Sequence, residues 1–181
     1  MNEPAMTPLI SHTYDTPLGG TMALFSERGL CLLEFAGQPR VDREQAQVEA
    51  ARGGPAQPGD GPLAAQLRAE LADYFAGRRQ AFGLPLDLVG TPFQIAAWHA
   101  LLAIPYGQTR SYAQQAQRIG RPTATRAVAA ANGQNKISIV VPCHRVIGSD
   151  GSLTGFGGGL PRKQWLLGLE REGAPPRDLL S

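Results

Sequence analysis

The sequence has 181 residues, of which 43% are hydrophobic and 18% are charged, and its formal net charge is +2. This length suits one or two small domains with a buried core, and no apolar run approaches the roughly 18 residues that a membrane span needs. The first ten residues show no basic region followed by an apolar stretch, so we expect no secretory signal and predict a cytoplasmic protein.

The first half of the chain has the pattern of strands followed by a helix. Residues 9–34 contain apolar runs separated by glycine-containing turns, which predicts antiparallel hairpins. Residues 37–62 are rich in Gly, Pro, Gln and charge, and we expect a loop or a weak helix there. Residues 63–75 have apolar side chains at helical spacing, and residues 85–90 are typical of a short strand and linker.

The second half is predicted to be mainly helical, and we divide the chain into domains 1–90 and 91–181. Residues 92–104 have apolar side chains on one helical face, and proline and glycine follow them.

A short helix, a glycine turn and a second helix are predicted next. Ser111, with Gln114 three residues later, fits a capping box at a helix start. Gly120 marks the turn, and the second helix is expected to begin near Pro122 and to end at Gly133. This is the helix-turn-helix pattern, although any helical hairpin can resemble it.

The second of these helices consists mostly of alanine. Arg126 lies about 200° around the helix from Val128, at roughly 100° per residue. If Val128 packs inward, Arg126 projects from a surface of small residues, which would let the backbone approach a groove closely. An alanine-rich packing helix with a solvated arginine is the alternative.

Charge is divided unevenly between the two halves. Residues 1–88 have a net charge of −4 and residues 89–181 a net charge of +6. A polyanionic partner would explain this excess, and a solvated face is the alternative. Between residues 106 and 163 a single acid, Asp150, accompanies eight basic residues: Arg110, Arg118, Arg121, Arg126, Lys136, Arg145, Arg162 and Lys163.

Two cysteines are too few for a disulfide framework and are not grouped as in a structural zinc site. Cys31 lies in an apolar run and is expected to be a buried strand thiol. Cys143 follows a β-branched run, 136–141, which predicts a buried strand. Because neighbouring side chains of an extended chain point to opposite sides, His144 would reach Cys143 through a water.

The predicted helix 160–172 carries an acid on its apolar face. Glu170 would need a partner if buried, and His144 is a suitable one. In a Glu–His–water–Cys arrangement the acid orients the base that generates the reactive thiolate of Cys143. The glycines at 157–159 indicate either a flexible loop or a backbone that approaches a ligand closely.

Taken together, these motifs resemble the O6-alkylguanine-DNA alkyltransferases. Their order and spacing agree over residues 91–171, and segments 17–19 and 74–85 resemble the family's smaller N-terminal domain less specifically. The motifs are PCHRV at 142–146, IPYG at 104–107, SY at 111–112, RAV at 126–128, Asn135, Lys163 and LLGLE at 166–170.

The resemblance implies a fold and a function. The fold would be an α/β N-terminal domain with a ribonuclease-H-like sheet, followed by a mainly helical, winged helix-turn-helix-like catalytic domain. The function would be direct-reversal DNA repair by a monomer without cofactor. One alkyl group would pass from O6-alkylguanine in double-stranded DNA to Cys143 and inactivate the protein irreversibly, with O4-alkylthymine as a further candidate substrate.

The resemblance also assigns roles at the catalytic centre. Cys143 would be the nucleophile, and His144 would take its proton through water while Glu170 holds the imidazole. Asn135 would tie the end of the recognition helix to the active-site strand. Tyr112 would donate a proton toward the leaving guanine and would crowd a phosphate so that the base rotates out.

Further residues would bind DNA and the damaged base. Arg126 would fill the gap left by the extruded base, since a duplex hides the target atom. The other implied DNA contacts are Ala127, Ala129, Ala130, Arg110, Ser111 and Tyr112. The implied substrate contacts are Val146, Phe156 and Gly157.

The chain departs from some family members at three positions. Ser138, Phe156 and Gly157 stand where those members have Pro, Tyr and Ser, and we hypothesise that the smaller loop admits bulkier alkyl groups. Some relatives bind zinc in the N-terminal domain, but this chain offers only Cys31 and His12 there, so we predict no metal site.

Three other interpretations remain open. One is a non-catalytic sensor of alkyl lesions, whose known relatives lack the cysteine of this motif. Another is a helix-turn-helix transcription factor in which Cys143 is structural. The third is a cysteine hydrolase with a Cys–His–Glu triad, which would show turnover.

Overall fold

The computed structural model describes residues 7–176 and begins with a small sheet. Strands β1 (Ile10–Thr16), β2 (Gly19–Phe25) and β3 (Leu30–Phe35) form two antiparallel hairpins. Strand β4 (Gln57–Pro58) adds to β1 in parallel, so the sheet order is β3-β2-β1-β4. The predicted hairpins are confirmed.

Two helices cover this sheet. Helix α1 (Pro39–Arg52) packs through Val48 on a cluster that contains Leu24 and the buried Cys31, as expected for a strand thiol. Helix α2 (Pro62–Phe75) joins the main core and confirms the helix predicted at 63–75. The segment expected to be a loop or weak helix is thus mostly helical, because every third or fourth residue on one side of α1 is buried.

Within the described residues, the second half contains four helices, three of which begin as predicted. They are α3 (Pro92–Leu102), α4 (Tyr112–Arg118), α5 (Thr125–Gly133) and α6 (Leu160–Glu172). Helix α5 begins at Thr125 rather than near Pro122, because the Ala124 amide donates to the Arg121 carbonyl and closes a turn there. Two short strands, β5 (Arg110–Ser111) and β6 (Val146–Ile147), pair in parallel.

The prediction of a buried strand at 136–141 is wrong. Only a single bridge joins Leu33 of β3 to Ile137, and Ile139 has a φ of 73°, which takes the chain out of the extended conformation. The Asn135 side chain bonds the Ile137 amide and the Val141 carbonyl in place of a neighbouring strand. The β-branched composition therefore reports burial and not extension.

One hydrophobic core joins the two halves. It combines residues of the sheet and α2, such as Phe35 and Tyr74, with residues of the second half, such as Trp98, Val141 and Leu166. The division into domains 1–90 and 91–181 stays a prediction. Within residues 7–176, every helix is too short or too polar to cross a bilayer.

Candidate active site

Cys143 lies at the start of a 3-10 turn, Cys143–Arg145, and not in the extended chain that we expected. Its side chain is half-buried, and the Asn135 Nδ2 atom donates a hydrogen bond to Sγ at 3.2 Å. Burial raises the pKa of the Cys143 thiol to about 11, although the Asn135 hydrogen bond lowers it. At neutral pH the group is therefore a thiol, and a base must remove its proton before it can act as a nucleophile.

Asn135 connects the end of α5 to the turn that carries Cys143. The residue is buried, and besides Sγ its Nδ2 donates to the Val141 carbonyl at 2.9 Å. Its Oδ1 accepts from the Ile137 amide at 3.0 Å. The side chain makes the connection that the resemblance implied, except that the segment it reaches is a turn and not a strand.

His144 is fully buried and pairs with Glu170. The Nε2 atom lies 2.7 Å from Oε2 of Glu170, while Nδ1 has no hydrogen-bond partner among residues 7–176. Burial lowers the pKa of His144 despite the neighbouring Glu170 carboxylate, so the imidazole is neutral near pH 7. The expected pairing with Glu170 is confirmed, and Nδ1 is the nitrogen free to accept a proton.

Glu170 has more partners than the sequence indicated. Arg145 donates to it from Nε at 2.7 Å and from Nη2 at 3.1 Å, and the Tyr74 hydroxyl donates at 2.5 Å. Burial alone would raise the pKa of Glu170, but hydrogen bonds from His144 and Arg145, together with the positive charge of Arg145, hold it well below its usual value. The carboxylate is therefore ionised, as an acid that orients a neutral imidazole must be.

Three of the eight basic residues between 106 and 163 are not available to a polyanionic partner, contrary to expectation. Lys136, Arg145 and Lys163 are all buried, so they bond internal acceptors and do not form a surface for a polyanion. Lys163 donates from Nζ to the carbonyls of Val146 at 2.6 Å and Thr154 at 2.9 Å. These bonds hold residues 146–154, here called the site loop, to α6. The exposed basic residues of this segment are Arg118, Arg121 and Arg126, with Arg110 and Arg162 half-exposed.

Helices α4 and α5 form the helix-turn-helix pair. The capping box of Ser111 with Gln114 is present, which confirms the predicted helix start. Gln115 and Asn132 are both buried and exchange two amide hydrogen bonds of 2.8 and 2.7 Å. Sequence reasoning missed this pair, whose only signal was that Asn132 follows Val128 by one helical turn.

The exposed face of α5 has the composition expected of a recognition helix. Val128 is buried, whereas Arg126 is exposed together with the small residues Ala127, Ala129 and Ala130.

The start of α4 adjoins the site loop. The parallel pairing of β5 with β6 places Arg110 opposite Val146 and Ser111 opposite Ile147. The Tyr112 hydroxyl lies 2.7 Å from the Thr154 hydroxyl of the same site loop. The structure therefore brings the candidate DNA contacts Arg110 and Ser111 next to the strand that carries the candidate substrate contact Val146.

The loop that contains the glycines at 157–159 approaches a side chain from the first half of the chain. A methyl group added at Gly157 would overlap the guanidinium of Arg40, and one added at Gly158 would collide with Phe35 and Phe156. Arg40 in turn pairs with the buried Glu34, 2.5 Å away. The glycines are thus explained in part by protein packing, which the sequence did not indicate.

The two residues weighed as zinc ligands lie in different surroundings. Cys31 is fully buried with Sγ 3.6 Å from Asp87, whereas His12 is half-exposed and bonds the Gly59 carbonyl. Across residues 7–176 we find no group of three or more His, Cys, Asp or Glu side chains arranged to hold a metal.

Comparison with known proteins identifies both halves of the chain. Residues 92–172 match the family model of the 6-O-methylguanine DNA methyltransferase DNA-binding domain. Residues 9–88 match the ribonuclease-like domain of the same proteins. The fold expected from the resemblance is thereby confirmed.

Individual relatives belong to the same family as the matching family models. A methylated-DNA–protein-cysteine methyltransferase of Mycolicibacterium paratuberculosis is 59% identical over 106 residues, which are 59% of this chain and 64% of the relative. Its namesake from Methanosarcina barkeri is 41% identical over 86% of this chain and 93% of its own length. The crystal structure of Mycobacterium tuberculosis OGT in complex with DNA superposes with a TM-score of 0.79 at 43% identity, covering 92% of this chain and 95% of that one. The chain belongs to the 6-O-methylguanine DNA methyltransferase family.

Proposed function

We propose that this protein repairs alkylated DNA by transferring one alkyl group from the O6 atom of guanine to Cys143. The observation that carries the proposal is the arrangement around the thiol: Asn135 bonds Sγ, and the next residue is a buried, neutral His144 paired with an ionised Glu170. The names of the relatives support the same activity. O4-alkylthymine stays a further candidate substrate.

The reaction is a displacement at carbon. His144 takes the thiol proton through a water at Nδ1, and the thiolate attacks the alkyl carbon. The new S–C bond forms as the C–O6 bond breaks, and the electrons of that bond pass to the guanine, which takes up a proton. Tyr112 is the proposed donor of that proton. The thioether has no route to hydrolysis among these residues, so each molecule acts once and needs no cofactor.

The DNA must present the damaged base outside the stack. Arg126 is the proposed filler of the gap, and α5 enters the groove with Ala127, Ala129 and Ala130 toward the DNA. Arg110 and Ser111 would contact the backbone, while Val146, Phe156 and Gly157 would line the base pocket. The M. tuberculosis crystal structure is a complex with DNA, which supports DNA as the partner, and we propose that this DNA is double-stranded. A monomeric state and a cytoplasmic location stay predictions.

Free O6-benzylguanine tests the chemistry without DNA. The reduced protein is incubated with this base and weighed by mass spectrometry, and one benzyl group is expected, located on Cys143 by peptide mapping. The Cys31→Ala variant should still be labelled, because Cys31 is buried in the cluster between the sheet and α1 and is not the expected acceptor. The Cys143→Ala variant should not be labelled.

Other outcomes would contradict the proposal. Wild-type protein that binds alkylated DNA but takes no label would be a non-catalytic sensor. Repeated release of product by one molecule would indicate a hydrolase, and label on Cys31 alone would exclude Cys143 as the acceptor.

A further inference from the structure

Tyr74 reaches the active site from the other half of the chain. It lies near the end of α2, is fully buried, and donates its hydroxyl proton to Oε2 of Glu170 at 2.5 Å. Its ring packs edge-on against Tyr106, with centroids 6.2 Å apart, and tilted against Phe82 at 5.2 Å. These contacts fix the ring, so the hydroxyl has a defined position relative to the carboxylate.

The oxygen that Tyr74 binds is the oxygen that orients His144. Oε2 of Glu170 receives Tyr74, His144 Nε2 and Arg145 Nη2, while Oε1 receives Arg145 Nε and, at 3.3 Å, the Gly107 amide. A carboxylate oxygen offers about two lone-pair positions, so these donors compete. Tyr74 therefore affects both where Oε2 lies and how strongly it holds the His144 proton.

We propose that Tyr74 is a positioning residue for alkyl transfer: it holds the Glu170 oxygen that orients His144 and limits the strength of the Glu170–His144 hydrogen bond. The proposal rests on the function proposed above, with His144 as the base. Burial, followed by the Glu170 charge, raises the pKa of Tyr74 well above its usual value, so the group stays a donor at working pH.

Removal of the Tyr74 hydroxyl should change the pKa of His144 in a predictable direction. The charged groups that act on His144 are Glu170 and Lys163 on α6 and the adjacent Arg145. Glu170 in turn lies near Tyr74 on α2 and Tyr106 after α3. Without Tyr74, Oε2 has one donor fewer and becomes a better acceptor for a protonated imidazole, which raises the pKa of His144. In this variant, His144 therefore becomes protonated at a higher pH than in the wild type, and the protonated ring cannot act as a base.

The full chain with Tyr74→Phe tests this by its rate of labelling with free O6-benzylguanine across pH. We expect the rate at pH 7.5 to fall about tenfold, since part of the general-base contribution is lost, and the acid limb of the profile to move to higher pH. Tyr14→Phe is the matched control: Tyr14 is also buried in the first half, but its hydroxyl bonds the Ala64 carbonyl. Both variants should lose stability, and only Tyr74→Phe should change the profile.

Two results would overturn the proposal. If Tyr74→Phe and Tyr14→Phe give the same rate and the same profile as the wild type, Tyr74 only packs. If the wild type itself takes no label, the proposed function fails and this proposal fails with it.

A measurement on the unmodified protein decides the matter if Tyr74→Phe does not fold. The Tyr74 hydroxyl proton should give a slowly exchanging downfield NMR signal with a cross-peak to the His144 ring, because both donors meet at one oxygen. Its absence would contradict the inference.

Discussion

Glu44 is a buried acid without adequate pairing. The residue lies on α1 with 3% of its surface exposed, and its Oε2 has no partner in the described part of the chain. Burial, followed by the negative charge of Glu34, raises the pKa of Glu44 to about 7, against the lowering effect of Arg40 and Lys136. The folded protein therefore binds a proton at Glu44 more tightly than the unfolded chain does.

Glu44→Gln should stabilise the protein at alkaline pH. The contribution of Glu44 is fully present below its ordinary pKa of 4.5 and is lost as the pH rises through 7, so the charged form costs stability above that value. We expect the free energy of unfolding to rise by about 2 kcal/mol at pH 8 and to change little at pH 5. Urea titrations at both values measure this. The exposed Asp42→Asn on the same helix is the control, and an equal gain at both pH values for Glu44→Gln would refute the explanation.

We propose that Gly157 helps to set how much room the alkyl group has. A serine there would overlap the Arg40 guanidinium, so Gly157→Ser should displace that group, and we expect the pocket to become narrower. We expect the benzyl rate to fall about tenfold relative to the methyl rate, a size typical of one misplaced group in an apolar pocket. Rates on duplexes with each adduct give the ratio.

Arg40→Ala supplies the background for this test. With the overlap removed, Gly157→Ser should change the ratio much less. A strong methyl preference in the wild type would refute the hypothesis that the small loop admits bulky groups.

Among the elements, α5 is proposed to handle DNA without taking part in the chemistry. Arg126 is exposed and its side chain makes no hydrogen bond within residues 7–176, so Arg126→Ala should leave the rate with free O6-benzylguanine unchanged. The rate on duplex DNA should fall about 100-fold, because unstacking a base costs a few kcal/mol and Arg126 would compensate for it.

A nearby arginine provides the comparison. Arg118→Ala, at the exposed end of α4, should weaken duplex binding and reduce its salt dependence without affecting base extrusion. An equal loss of rate on the free base for Arg126→Ala would mean that α5 packing, and not DNA handling, was damaged.

Elements with strong local signals could be predicted from the sequence, and those set by tertiary contacts could not. Apolar side chains at helical spacing located α3 and α6, a capping box located α4, and turns located the hairpins. The segment 136–141 was mistaken for a strand because a side chain, Asn135, replaces the backbone partners of a sheet.

The same distinction holds at the site. Cys143, His144 and Glu170 were predictable, since two are adjacent and the third interrupts an apolar helix face. Tyr74 lies 96 residues from Glu170, and nothing in its local sequence distinguishes it from a core tyrosine. Arg145 lies in the recognised motif, yet its burial depends on the Ile104 carbonyl 41 residues away.

In the whole molecule, the site belongs to both halves. Strand β3 bonds the segment after α5 through Leu33, Tyr74 bonds Glu170, and Arg40 covers Gly157. The main core also runs across both halves without a break. The ribonuclease-like half therefore helps to build the catalytic centre, and the two halves should depend on each other for stability.

This dependence predicts a single unfolding transition. Both tryptophans, Trp98 and Trp165, lie in the second half, so their fluorescence reports that half alone, while far-UV circular dichroism reports the whole chain. Leu32→Ala removes a fully buried side chain from the cluster on the α1 side of the sheet, at a cost of about 2–5 kcal/mol. In urea, we expect the fluorescence and dichroism midpoints to coincide in the wild type and to fall together in Leu32→Ala. A tryptophan transition that stays in place while the dichroism transition moves would show that the second half folds on its own and that the shared core does not couple the halves.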